Sequence, residues 1–162
     1  LVKPHGSKRM PLFHVSISAN DPEGVAAFLA EVMGGQSLPF PPFPDCWIAF
    51  SAEDDGTAIE VYPTTHVLKA GAAQVACNIE EPTTAPTFVH VALASVLPRE
   101  TLLSMASRNG WSARTCNRGP FECVEIWIED RLLIEALDDA MQLNYRTHMN
   151  AANWAEMFGL SM

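Results

Sequence analysis

Leu12-Phe13-His14-Val15-Ser16-Ile17-Ser18-Ala19 alternates apolar and polar side chains over eight positions, the period-two signature of a half-buried strand. Phe13, Val15 and Ile17 share one face of that strand, and His14, Ser16 and Ser18 share the other. The core of the pattern returns 76 positions later, where Val89-His90-Val91 matches Phe13-His14-Val15. A second pair, Ile59-Glu60-Val61 and Ile134-Glu135-Ala136, keeps a step of 75. Pro22 maps onto Pro98 and Gly34 onto Gly110, each 76 positions on, with the proline early and the glycine late in an expected helix. Four landmarks spaced by 75 or 76 positions predict a duplicated module.

Each copy predicts the order strand, helix and three strands. In the first, Asp21-Pro22-Glu23 opens a helix whose apolar positions Val25, Phe28, Leu29 and Val32 fall on one stripe, and Gly34-Gly35 closes it. A strand poorly marked among Pro39, Pro41, Pro42 and Pro44 follows, then one near Cys46 to Ala52, a turn at Asp54-Asp55-Gly56 and a strand from Thr57 to Tyr62. The second copy predicts a strand from Thr87 to Ser95, a helix from about Arg99 to Arg108, and strands near Trp111 to Thr115, Glu122 to Glu129 and Leu132 to Leu137, with Glu129-Asp130 turning the last hairpin. The fold class expected is α+β, with two paired βαβββ modules forming curved mixed sheets around a cleft and a C-terminal helical tail. The divisions are 11–63 for the first module, 64–86 for a connection without clear periodicity, 87–138 for the second module and 139–162 for the tail, in which Trp154, Met157 and Phe158 share one helical face.

Composition narrows the function. With 162 residues and 48% apolar content the chain has enough side chains for one ordinary core. Ten Lys and Arg against 19 Asp and Glu give a formal charge of −9, which repels phosphate backbones and anionic lipid, so neither nucleic acid nor a membrane is expected as partner. No apolar run is long enough to span a bilayer, and Lys3, Lys8 and Arg9 are not followed by the apolar stretch of a secretory signal. Cys46, Cys77, Cys116 and Cys123 form no CxxC pair and read as reduced, inert thiols, which suits a cytoplasmic protein.

Strand alternation decides where the unusual residues point. His14 lies opposite Phe13, Val15 and Ile17; His90 opposite Val89, Val91 and Leu93; Glu60 opposite Ile59 and Val61; Glu135 opposite Leu132, Ile134 and Ala136. Two imidazoles and two carboxylates at repeat-related positions, all on faces turned away from the helices, form a four-ligand set suited to a borderline divalent ion. Zn, Ni, Co, Mn and Fe(II) all remain open. His5, His66 and His148 are read as solvated or capping, Arg114 and Arg118 as solvated, and Trp47, Phe50, Trp111 and Trp127 as core aromatics rather than pocket linings.

On these residues the chain resembles the vicinal oxygen chelate superfamily, which includes glyoxalase I, bleomycin resistance proteins, fosfomycin-resistance enzymes and dihydroxybiphenyl dioxygenase-like ring-cleaving enzymes. The resemblance covers about residues 11 to 138 and rests on the paired strand-helix-three-strand order and four stretches, Leu12-Phe13-His14-Val15, Ala58-Ile59-Glu60-Val61, Val89-His90-Val91-Ala92-Leu93 and Leu133-Ile134-Glu135-Ala136. In glyoxalase-I-like members the metal ligands run His, Glu, His, Glu, the order of His14, Glu60, His90 and Glu135. One departure is the last hairpin, Ile128-Glu129-Asp130-Arg131, where many relatives carry Asp-Pro-Asp-Gly.

The resemblance implies a metal-dependent lyase or isomerase acting on a small molecule with vicinal oxygens through an enolate-like intermediate. Glu135 is the carboxylate expected to shuttle a proton, and Glu60 the second catalytic carboxylate. It also implies a homodimer, with the site either within one chain or shared between two. The competing expectation is a metal-free small-molecule binding protein of the bleomycin-resistance type.

Overall fold

The computed structural model of the chain describes residues 12–53 and 56–161. The early basic residues Lys3, Lys8 and Arg9, His5 and the turn residues Asp54 and Asp55 lie outside the described residues. The first half contains β1 (His14–Ala19), α1 (Pro22–Val32), β2 (Gln36–Pro39), β3 (Trp47–Phe50) and β4 (Ala58–Pro63). The second contains β7 (His90–Ala94), α2 (Arg99–Arg108), β8 (Ser112–Asn117), β9 (Glu122–Ile128) and β10 (Leu132–Leu137). Each half forms a four-stranded mixed sheet of the same topology, β1-β4-β3-β2 and β7-β10-β9-β8. The α+β architecture expected from the repeat is the one observed.

The helix crossover makes the outermost pairing of each sheet parallel, because a strand that continues through a helix returns in the same direction. His14 faces Ala58 and Ser16 faces Glu60 across β1 and β4; His90 faces Leu133 and Ala92 faces Glu135 across β7 and β10. The register is identical in both halves.

Local chemistry explains where α1 begins and ends. Asp21 caps it by accepting a hydrogen bond from the Gly24 N–H at 3.0 Å, and Pro22 takes the first position, where no N–H is needed. Gly34, in the left-handed region at φ 69°, lets the chain turn out of the helix. Pro98 plays a slightly different part in the second half: it is the N-cap residue, with no side-chain cap bond. Val25, Leu29 and Val32 from α1 and Leu102 and Met105 from α2 pack with Ile59, Val61, Ile126 and Ile134 in one continuous core. Phe28 meets Trp111 edge to face at 5.0 Å between ring centres.

Four details differ from the sequence expectation. The connection at 64–86 contains a hairpin, β5 (His66–Ala70) and β6 (Val75–Ile79), whose facing pairs include Leu68 with Cys77; its strands are short and mixed in polarity, so periodicity does not mark them. Phe13 does not pack beneath α1 but precedes β1 and is 58% exposed. The poorly marked strand β2 ends at Pro39, the first of the four prolines, rather than running on among Pro41, Pro42 and Pro44, since Pro cannot donate to a ladder. The tail is two helices, α3 (Asp139–His148) and α4 (Ala151–Phe158), broken at Met149-Asn150; Met141 and Tyr145 of α3 pack on the core, while Trp154, Met157 and Phe158 stay largely exposed.

The hairpin between β9 and β10 shows how this chain manages without a glycine. Glu129 and Asp130 both take left-handed conformations, φ 51° and 54°, the backbone of a type I′ turn, closed by the Arg131 N–H donating to the Ile128 carbonyl at 3.0 Å. Those conformations are costly for non-glycine residues. The Glu129 carboxylate offsets the cost by accepting from the Asn20 and Asp21 N–H groups at 2.7 to 3.0 Å, tying the second sheet to the entry of α1.

Among the described residues no helix is long and apolar enough to cross a membrane. All four cysteines are free thiols. Burial pushes Cys46 up to about 11, aided by Cys77, Asp45 and Glu60, and burial likewise pushes Cys123 up to about 11. Both therefore stay protonated and unreactive at neutral pH. Iodoacetamide at pH 8 should label Cys77 and Cys116 well before Cys46 and Cys123, as read by peptide mass spectrometry on the folded protein; early labelling of Cys46 or Cys123 would contradict this burial.

Candidate functional site

In the first half, β1 and β4 set a carboxylate beside an imidazole. Glu60 is largely buried, and its Oε2 accepts hydrogen bonds from Ser16 Oγ at 2.8 Å and Tyr62 Oη at 3.0 Å. Its other oxygen, Oε1, lies 4.0 Å from His14 Nε2, and the His14 side chain is 58% exposed. Two hydroxyls on the neighbouring strand and two residues along the same strand thus fix one oxygen and leave the other toward His14. Burial pushes the Tyr62 phenol above its ordinary range, reinforced by its hydrogen bond to Glu60, so it stays protonated and remains a donor.

The second half starts from the same register and ends in different chemistry. The counterparts of Ser16 and Tyr62 are Ala92 and Leu137, which offer Glu135 no donor. Instead Arg118, just past β8, donates from Nε to Glu135 Oε1 at 2.8 Å, leaving Oε2 outside that contact. Its second arm reaches Glu125 Oε2 at 2.8 Å, while Arg114 and the Trp127 indole N–H both donate to Glu125 Oε1, at 2.7 and 2.9 Å. Arg118 is therefore not simply solvated, as the sequence suggested, but bridges two buried carboxylates; Arg114 stays 71% exposed while donating to Glu125. His90 is exposed, and its Nδ1 lies 3.3 Å from the Phe88 carbonyl. As an N–H donor there, Nδ1 leaves Nε2 free.

Burial alone would raise Glu125, yet the hydrogen bonds from Trp127 and Cys116 and the charges of Arg118 and Arg114 outweigh it and hold its carboxyl below the usual range. Burial likewise disfavours the charge on Arg118, but the hydrogen bond to Glu135 and its negative charge prevail, so the guanidinium stays charged.

Of the four sequence-predicted ligands, His14 and Glu60 come together, while His90 and Glu135 stand on adjoining strands, the first beside the Phe88 carbonyl and the second against Arg118. Among the described residues of one chain, no three His, Cys, Asp or Glu side chains gather closely enough to hold an ion. The donor chemistry nevertheless suits a borderline divalent cation. Two ligands about 2.1 Å from one ion stand roughly 3 to 4 Å apart, close to the His14–Glu60 separation. Each carboxylate has one oxygen secured by protein donors, the other accepting no hydrogen bond among the described residues, and His90 has a carbonyl partner for its second nitrogen, the arrangement by which proteins orient metal-binding groups.

One residue that the sequence analysis set aside belongs beside this site. His66, expected to be solvated, stands at the start of β5 against a cleft between the two halves; its Nδ1 is 3.2 Å from Thr65 Oγ1, and its Nε2 is buried without a hydrogen-bond partner among the described residues. Nothing in a lone histidine within an aperiodic segment signals that placement. Of the aromatics, Trp47 and Trp111 pack on the core, Phe50 is partly exposed and Trp127 serves Glu125. His148 faces solvent with Nδ1 2.9 Å from the Asn144 carbonyl.

No family model matches the chain, and no curated protein does. Solved structures do. The genomically encoded fosfomycin resistance protein FosX from Listeria monocytogenes superposes with a TM-score of 0.52 at 13% identity, covering 84% of this chain and 98% of that one. The trypanothione-dependent glyoxalase I of Leishmania major gives a TM-score of 0.50 at 13% identity, covering 93% and 99%. At such identity the likeness establishes the fold alone: the chain shares the architecture of these two structures, the paired strand-helix-three-strand arrangement expected from its repeat.

The Glu125 network yields a stability prediction with a defined sign. Because the folded state holds this carboxyl below its ordinary value of 4.5, its contribution is fully present above that pH and is lost as pH falls through the depressed folded value. Glu125→Gln should cost about 2 to 3 kcal/mol at pH 7, less than a fully buried pair would, because Arg114 is 71% exposed. In urea unfolding series the gap between wild type and variant should shrink below about pH 4.5. A gap that is constant from pH 7 to pH 3 would show that the charge of Glu125 is not what stabilises the fold.

Proposed function

We propose that this chain is a glyoxalase-like, metal-dependent lyase or isomerase that acts on a small molecule with vicinal oxygens. The observation that carries this reading is the matched pair of half-sites, each with an imidazole and a carboxylate in the same strand register and each carboxylate anchored by one oxygen. Since one chain gathers only the His14–Glu60 pair, the complete set belongs to a homodimer, in which His14 and Glu60 of one copy meet the equivalents of His90 and Glu135 from a second copy. Exposed Phe88 and Val89, next to His90, give that surface apolar area to bury on association.

A bound divalent ion, Zn, Ni, Co, Mn or Fe(II), supplies Lewis-acid stabilisation of negative charge developing on substrate oxygen. The protein supplies the rest. Ser16 and Tyr62 hold Glu60 so that Oε1 is the oxygen presented, and they keep it from rotating away from His14. Arg118 does the same for Glu135, whose Oε2 is the atom to take a proton from the carbon next to a carbonyl and return it to the neighbouring position. In the Leishmania enzyme the same fold belongs to a glyoxalase I and in the Listeria protein to a fosfomycin resistance protein, which supports a small-molecule role here.

A second reading has its own observation. Arg118 already sets a cation against Glu135, which suits a metal-free binding protein of the bleomycin-resistance type. Metal stoichiometry separates the two. Reconstituted wild-type protein should hold about one transition-metal ion per chain, His14→Ala and His90→Ala homodimers should hold none, and an isolated heterodimer with one chain of each should recover one ion per dimer, because one of its two shared sites is intact. Wild-type protein that stays metal-free after reconstitution would favour the binder, and a heterodimer without metal would rule out the shared site.

A further inference from the structure

A cleft of about 200 Å³ opens between β1, the β5–β6 hairpin and the segment entering β7. Ser16, Ser18, Tyr62 and His66 form a polar wall, and Leu68 and Val89 stand among the apolar groups opposite. Among the described residues no Lys, Arg, Asp or Glu lines it.

The hydrogen bonds around the polar wall decide what it offers a ligand. Ser16 and Tyr62 have one hydroxyl proton each, and both are donated to Glu60 Oε2. Their oxygens therefore present only lone pairs to the cleft, with a carboxylate behind them. Ser18 is held from behind by Arg131, which donates from one nitrogen to its carbonyl at 3.2 Å and from another to its Oγ at 3.4 Å. The His66 ring lines the cleft, and its Nε2 is turned away from it, buried and without a hydrogen-bond partner among the described residues. A turn of the ring about its Cβ–Cγ bond toward a bound polar group would satisfy that atom.

We propose that this cleft binds a small neutral molecule with an apolar body and a hydroxyl group, and that His66 is the side chain that turns to hydrogen-bond it. The hydroxyl donates to the lone pairs of Ser16 or Tyr62 and its oxygen engages His66; a carboxylate would bring its own lone pairs against theirs and its charge against Glu60. The site borders the ion site, sharing Ser16 and Tyr62 with the surroundings of Glu60, but it lies within one chain and needs no metal, so metal-free binding tests it separately.

Benzyl alcohol and benzoate, which share a ring and differ in the polar group, test this on the full-length protein without added metal. Benzyl alcohol should bind saturably with a Kd on the order of 1 mM, a scale reasonable for a ligand so small. It should shift the His66 Nε2 resonance in long-range proton–nitrogen spectra. Benzoate should bind at least about tenfold more weakly, and His66→Phe, which keeps a ring but removes the nitrogen, should weaken benzyl alcohol by about tenfold. Equal binding of the two ligands, absence of saturation, an unmoved His66 signal or unchanged affinity in a folded His66→Phe protein would each overturn the proposal. If that variant fails to fold by circular dichroism, the wild-type ligand contrast and the nitrogen shift decide it.

Discussion

Glu125 and Glu135 are buried and Glu60 is largely buried, each on a strand that also carries core side chains, and taking a carboxylate out of water is tolerable only where protein donors replace the lost hydration. Much of what is distinctive here follows from how each is supplied. Glu60 receives two neutral hydroxyls, Glu125 receives two arginines and an indole, and Glu135 shares one of those arginines. The donors in turn fix side chains that would otherwise be free: the Tyr62 proton, the Ser16 rotor and the long Arg118 stem each have a single productive orientation.

The duplicated backbone places these groups but does not dictate their chemistry. Parallel pairing after a helix crossover returns β4 beside β1 and β10 beside β7 in the same register, so a carboxylate on the last strand and a histidine on the first are brought to adjoining strands twice. Side chains then diverge at the supporting positions. Ser16 and Tyr62 become Ala92 and Leu137, Ile48 becomes Glu125 on the adjacent antiparallel strand, and the missing hydroxyls are replaced by a guanidinium. The first half keeps its carboxylate charge balanced only by neutral donors, whereas the second half carries its own cation. A cation from outside therefore has more to gain at Glu60 than at Glu135, because Arg118 screens the latter.

Much of this was legible in the chain. The strand alternation around His14, the spacing of 75 to 76 residues and the Pro and Gly landmarks specify two strand-helix-strand halves, because those signals are local and each has one structural interpretation. The hairpin at 66–79 was not legible, since strands of five residues with alternation spoiled by Lys69 and Asn78 carry no period; pairing, not patterning, makes them strands. Facing directions of His14, Glu60, His90 and Glu135 follow from alternation, but the partners of Glu135 do not. Arg118 is 17 positions away, on a loop that only the β8–β9 hairpin folds back, and no spacing rule predicts such a contact.

His66 shows the same limit from the opposite side. Its position next to Thr65, with no apolar repeat around it, reads as surface, yet the return of the chain from β4 through the hairpin to β7 folds it against the cleft. A polar atom left unpaired there opposes folding, so its retention is explained when another state of the protein satisfies it. That state cannot be supplied by Thr65, whose hydroxyl already meets the other ring nitrogen, nor by Tyr62, whose proton is committed to Glu60. On the proposed reading the partner enters the cleft from outside, and the lone pairs of Ser16 and Tyr62 define which face of it must carry the proton.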